Sequence, residues 1–149
     1  MTGWTAHEDP FAFEVGPTRY ADPPYRFMNG TPNVPALYAA QPGLRIVSEV
    51  GVRQIREKSR RQTARLIELA DARGWCVNTP RDPDRRGGTV SLDMPNSQDV
   101  CDRLLARDIL VDWRPKAGVR MSPHFYTKDE ELETAVAAVD EILRGMVAV

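Results

Sequence analysis

Apolar side chains recur at helical spacing over two long stretches of the chain and alternate with polar ones over several short stretches between them. From a break at residues 41–43 to about residue 73, Val52, Ile55, Leu66, Ile67 and Ala70 fall on one face, with Arg53, Arg56, Glu57, Arg60, Arg61 and Arg65 elsewhere. That spacing predicts a long amphipathic helix. Gly74 is its expected stop, because glycine enters the left-handed conformation without a Cβ penalty. Near the other end Leu132, Val136, Val139, Leu143 and Met146 recur at steps of four and three, which predicts a final helix with a narrow apolar stripe. Thr127 with Glu130 has the spacing of a capping box for it.

Between these helices the period shortens. Residues 75–79 and 89–93 predict strands, the second half-buried on Val90 and Leu92. Asn96 or Ser97 is placed to cap a helix running to about residue 107, with Val100, Cys101, Leu104 and Leu105 buried. Residues 109–113 and 119–122 predict two further strands, antiparallel across a turn at 114–118. The order helix, strand, strand, helix, strand, strand, helix implies an α+β sandwich, a mainly antiparallel sheet covered by helices. No internal repeat interrupts it.

The first 35 residues follow neither period. Rich in proline, glycine and aromatics, they predict a long irregular segment, and such loops belong to compact domains chiefly when they line a site or lie against a partner. The expected division is therefore an irregular lead over 1–35, whose composition hints at surroundings it would lie against, and an α+β domain over 36–149 that opens with a helical turn at 36–40.

Composition narrows the function classes. A net charge of -1 argues against a nucleic-acid surface. Arginine far outnumbers lysine, so the cations favour forked ion pairs, and Lys58, Lys116 and Lys128 are the only amine nucleophiles available. Cys76 and Cys101 are too few and too distant for a disulfide framework or a zinc site, which makes a reducing cytoplasm the default. No apolar run approaches membrane length, and no secretory leader pattern opens the chain.

Four positions stand out chemically. Arg120, on a short strand ended by Pro123, presents a planar fork of donors suited to a carboxylate; the bland alternative is an ion pair with an acidic neighbour at the sheet end. Thr31, in Asn29-Gly30-Thr31-Pro32, offers a hydroxyl beside unshielded backbone donors that suit a phosphate, or simply forms a turn before a helix. Trp4 and His7 contribute an indole N–H and an imidazole within the irregular lead. His124, between Pro123 and Phe125, is expected to be a packed histidine at a strand end, and Arg81, Arg85 and Arg86 to be a solvated loop.

Three ordered segments resemble the kynureninases and their relatives in the class V aminotransferase family of pyridoxal-phosphate (PLP) enzymes. They are Gly3-Trp4-Thr5-Ala6-His7 followed by Pro10-Phe11, then Arg26-Phe27-Met28-Asn29-Gly30-Thr31-Pro32, and Val119-Arg120-Met121-Ser122-Pro123-His124-Phe125-Tyr126. The resemblance implies that 36–149 is the small C-terminal α+β domain of a fold type I PLP enzyme, and that 1–35 is an active-site-lining segment linking it to a large domain absent from this sequence. It implies Arg120 as the partner of the substrate α-carboxylate, His7 near the substrate's aromatic ring, and Trp4 and Thr31 as contacts of the cofactor phosphate. The threonine would serve the neighbouring subunit, which implies a homodimer. Thr5-Ala6 departs from the aromatic and glycine usual in kynureninases, so kynurenine itself is the less firmly implied part.

The family's cofactor-binding lysine, its acidic partner for the pyridinium nitrogen and its phosphate cup lie on the large domain, ahead of the Gly3-Trp4 segment. None of the lysines here has the required strand-end context. No residue of this chain is therefore assigned as catalytic, and the chain alone is expected to be incomplete, whether as a fragment, a split-gene product needing a second polypeptide, or a remnant. Three readings stay open: part of a kynureninase-like hydrolase, part of a cysteine desulfurase-like or epimerase-like relative, or a non-enzymatic α+β module that binds amino acids or protein partners.

Overall fold

The computed structural model describes residues 3–147, with Val147 described in its backbone alone. The chain divides into two compact units, Met1–Glu49 and Val50–Val149.

The first unit is irregular until its last third. Gly3 and Thr5 tie its beginning to the Tyr25–Phe27 turn: the Gly3 amide donates to Arg26 O at 3.3 Å, and the Thr5 hydroxyl lies 3.1 Å from both Tyr25 O and Met28 O. A Cβ on Gly3 would collide with Met28 O and stand 2.7 Å from Asn29 Cα, so the approach requires glycine. Helix α1, Val34–Val50, follows, with Asn33 Oδ1 accepting the Ala36 amide at 3.2 Å as its cap. The predicted break at 41–43 is wrong. Pro42 sits inside α1 and removes one intrahelical donor, but alanine- and leucine-rich turns flank it, and the interruption falls instead at Gly51 with φ of 87°.

In the second unit, helix α2 spans Val52–Asp71 and buries Gln62, Thr63, Leu66, Ile67, Leu69 and Ala70. Strands β1 (Cys76–Val77) and β2 (Val90–Asp93), helix α3 (Ser97–Leu105), strands β3 (Asp112–Arg114) and β4 (Gly118–Met121) and helix α4 (Asp129–Val147) complete it. The sheet order is β1-β2-β4-β3, antiparallel throughout, as the order of predicted elements implied.

Two strands begin later than predicted, for one reason. Gly74 at φ of 69° ends α2 as expected, and the Trp75 amide is then drawn back to Ala70 O at 3.0 Å. Asp108 at φ of 59° does the same for α3, and the Ile109 amide goes to Leu104 O at 3.0 Å. Each is the six-to-one bond of a Schellman motif, so the first residue of each predicted strand spends its donor on a helix end. Caps also moved. Asn96 adopts φ of 55° without a capping bond, and at α4 the Lys128 amide is capped by Glu131 Oε2 at 2.6 Å, one position beyond the predicted pair. Thr127 Oγ1 instead accepts the His124 amide at 3.0 Å.

The helices cover one face of the sheet. Val90, Leu92, Val119 and Met121 point into it and meet Leu66 and Ala70 of α2, Val100 and Leu104 of α3, and Leu132, Val136, Val139 and Ile142 of α4 in one continuous core. Arginines fasten the 80–88 loop to α2: Arg56 reaches Pro83 O and Arg86 O, and Arg60 pairs with Asp84 at 2.7 Å. Arg81 forks onto Asp71 with both bonds at 2.7 Å. Arg86 corrects the picture of a solvated loop, because it is 8% exposed, donates Nε to Thr63 Oγ1 at 3.1 Å and bonds Arg81 O.

Candidate functional site

The face of the sheet opposite the helices is polar. Strict alternation sets it: Val90 and Leu92 are buried while Ser91 and Asp93 are half-buried, and Val119 and Met121 are buried while Arg120 is not. Thr89 and Ser122 close one end of this face through a 2.9 Å hydroxyl contact. Arg120 stands at its middle, directly across from Ser91 on β2 and from Asp112 on β3.

Arg120 and Asp112 form a side-on bidentate pair. Arg120 Nε donates to Asp112 Oδ1 at 2.6 Å and Nη2 donates to Oδ2, while Arg114 Nη2 approaches the same Oδ2 at 3.1 Å. An acidic neighbour is one of the two fates expected of Arg120, and Asp112 supplies it. The pair uses only the Nε and Nη2 edge, so Nη1 lies outside it. Two guanidinium groups face one carboxylate here, which leaves the cluster with positive charge to offer an anion.

The Arg120 hydrogen bonds hold the Asp112 carboxyl below its ordinary range, opposed by partial desolvation and assisted by the charge of Arg114. A depressed folded-state pKa means that the pair contributes fully above the unfolded carboxylate range and is lost as pH falls through the depressed value. A carbon-detected NMR titration of the Asp112 carboxyl is therefore expected to give a midpoint below that of an aspartate in the unfolded chain. Arg120→Met should bring it back up.

The remaining predicted positions lie elsewhere. Trp4, 63% exposed, meets Phe11 edge to face with centroids 5.6 Å apart. His7 forms an isolated bridge with Tyr20, and its Nδ1 accepts the Asp9 amide at 3.0 Å. Thr31 is exposed just ahead of the Asn33 cap. These three belong to the first unit and Arg120 to the second. His124 is exposed and stacked on Tyr126 with centroids 4.5 Å apart, contrary to the packed histidine expected, because the strand has already ended at Met121.

Lys58 Nζ donates to Phe125 O at 2.8 Å, Lys116 occupies the β3–β4 turn at φ of 65°, and Lys128 offers its amide to the α4 cap. Among the described residues, no group of three or more His, Cys, Asp or Glu side chains is arranged to hold a metal ion, and no helix is long and apolar enough to cross a membrane.

Residues 55–139 match the sequence family described as the kynureninase C-terminal domain. The chain belongs to that family. Curated relatives agree: it is 26% identical over 150 residues to the kynureninase of Bacillus thuringiensis subsp. konkukian, covering 97% of this chain and 35% of the relative. The kynureninase of Koribacter versatilis is 30% identical over 131 residues, covering 83% of this chain and 30% of the relative. This kynureninase C-terminal family member thus spans about a third of the length of the curated relatives it matches. Among solved structures, the apo cysteine desulfurase from Thermococcus onnurineus NA1 superposes with a TM-score of 0.75 at 25% identity, over 96% of this chain and 38% of the other. The fold is therefore that of the small α+β domain of fold type I PLP enzymes.

Asp112 and Arg114 escaped the sequence reading. The signal was present, since a hairpin closed by Arg114 and Gly118 places Asp112 across from Arg120 when pairs are counted outward from the turn.

Proposed function

We propose that this chain is the substrate-carboxylate-binding part of a kynureninase-like PLP-dependent enzyme that hydrolyses the side chain of an amino acid, kynurenine or a relative, at the Cβ–Cγ bond. The observation that carries the proposal is Arg120, held on the polar sheet face with one edge of its fork outside the Asp112 pair, in a chain of the kynureninase C-terminal family. Arg120 fixes the substrate through its α-carboxylate, and the family resemblance alone assigns His7 to its aromatic ring. Such clamping sets which substrate bond is aligned for cleavage, a contribution of orientation rather than of acid–base chemistry.

The residues present fit part of PLP. Trp4 and Thr31, both exposed, supply an indole N–H and a hydroxyl that suit phosphate oxygens, but Lys58 is committed to Phe125 O and the other lysines sit in a turn and a helix cap. A large PLP-binding domain, on the same or a second polypeptide in a cytoplasmic homodimer, supplies the covalent lysine. When bound, PLP provides the electron sink for bond cleavage at an amino acid. A cysteine desulfurase-like activity is the second reading, supported by the structural likeness to that enzyme.

The test is a chimera in which this chain replaces the matching segment of the Bacillus thuringiensis kynureninase. It is expected to hydrolyse kynurenine, with Arg120→Met lowering kcat/KM about 100-fold. A folded, PLP-loaded chimera that releases sulfur from cysteine but leaves kynurenine intact would favour the second reading. Full activity after Arg120→Met would reject the carboxylate role.

A further inference from the structure

Arginine carries five N–H donors in a rigid plane, and Asp112 takes one from Nε and one from Nη2. The donors left over are the outer one on Nη2 and both on Nη1, so the edge that remains is the end-on fork between Nη1 and Nη2. We propose that Asp112 is a positioning residue that fixes Arg120 by its side-on edge, so that a ligand carboxylate is received end-on at Nη1 and Nη2. This rests on the reading of Arg120 as a carboxylate binder.

Three features of the fold suit Asp112 to that role. It pairs directly across from Arg120 in a hairpin closed two residues away by Arg114 and Gly118, so its backbone cannot drift relative to the arginine. Gly118 also presses β4 against β2, since a Cβ there would collide with Leu92 O. Arg114 Nη2, at 3.1 Å from Asp112 Oδ2, offsets the repulsion that an unshielded aspartate would exert on an arriving anion. An arginine with four side-chain torsions gains a single orientation from this arrangement, and the entropy of fixing it is spent before the ligand arrives.

The opposite assignment is that Asp112 is a competitor, occupying the place of the ligand and leaving when it binds. NMR of the side-chain nitrogens of Arg120 in the full chain separates the two, with the signals assigned by their loss in Arg120→Lys and sodium acetate titrated against sodium chloride at constant ionic strength. Positioning predicts that acetate moves the Nη signals and leaves Nε, held by Asp112, in place. Movement of Nε along with Nη would overturn it.

Asp112→Asn gives a second readout with the sign reversed. Removal of a negative charge alone should tighten anion binding, whereas loss of positioning is expected to weaken acetate affinity about tenfold while the backbone amide spectrum stays folded. Equal or tighter binding by this variant would overturn the proposal. If acetate moves no Arg120 signal in the wild-type chain while the Nε signal shows its bond to Asp112 intact, the carboxylate reading itself fails and the positioning role falls with it. That pattern is distinct from displacement of Asp112.

Discussion

Gly118→Ala is expected to destabilise the chain by about 3 kcal/mol, seen as a lower urea midpoint with an unchanged slope. Two costs coincide at this residue. Its φ of 83° lies where side-chain-bearing residues are strained, and the added Cβ would collide with Leu92 O and stand 2.8 Å from Asp93 Cα. Both obstacles are backbone of the neighbouring strand, so relief requires β2 and β4 to separate. Gly74 is the internal comparison: its φ of 69° is similar, but a Cβ there meets nothing within 4 Å. Gly74→Ala should therefore cost only the conformational term, about 1 kcal/mol. Equal losses at the two sites would show that the close approach of β4 to β2 is not what glycine serves. Because Gly118 closes the hairpin that aligns Asp112 with Arg120, its replacement should also broaden or shift the Arg120 Nε signal, which Gly74→Ala should leave alone.

Leu92→Ala is expected to cost about 3 kcal/mol, within the range for emptying a fully buried leucine site. Leu92 is 0% exposed and lies on β2, one of the two strands bonded on both sides, opposite Val77 of β1 and Val119 of β4. Walls contributed by a sheet and by helices cannot both close on the space left behind, so the cavity persists. In a unit of this size the loss corresponds to a fall in Tm of about 15 °C. A fall of only a few degrees would mean that the core repacks freely around β2.

The periodic parts of this fold were legible from sequence because burial is one-sided. Val136 and Val139 of α4, and Val90 and Leu92 of β2, repeat at the period of the element that buries them, and all four are fully buried. The edges of elements were less legible, because they depend on where individual amides go. Whether the Ile109 donor serves α3 or a strand is decided by the left-handed turn at Asp108, a residue with no glycine to announce it. Pro42 and Gly43 look like a stop, yet the helix runs through them and stops at Gly51, where the positive φ falls.

For the candidate site, sequence singled out Arg120 by its context but not the group that holds it. Local pattern marks Asp112 as one more strand residue; its meaning comes from register, which is a property of two strands together. Arg86 was missed in the opposite direction. An arginine in a polar loop reads as solvated until Thr63 and the carbonyl of Arg81 are seen to enclose it.

The two faces of β4 separate two demands that proteins often entangle. Val119 and Met121 answer to the core, and Arg120 between them answers to whatever meets the polar side. Neighbours in sequence are thus free to change for unrelated reasons: a lineage can retune what the wet face recognises through positions such as Ser91, Asp112 and Arg120 without renegotiating the interior that keeps the strands in place. A sheet with one apolar and one polar face is, in that sense, a scaffold whose specificity can evolve at little risk to its folding.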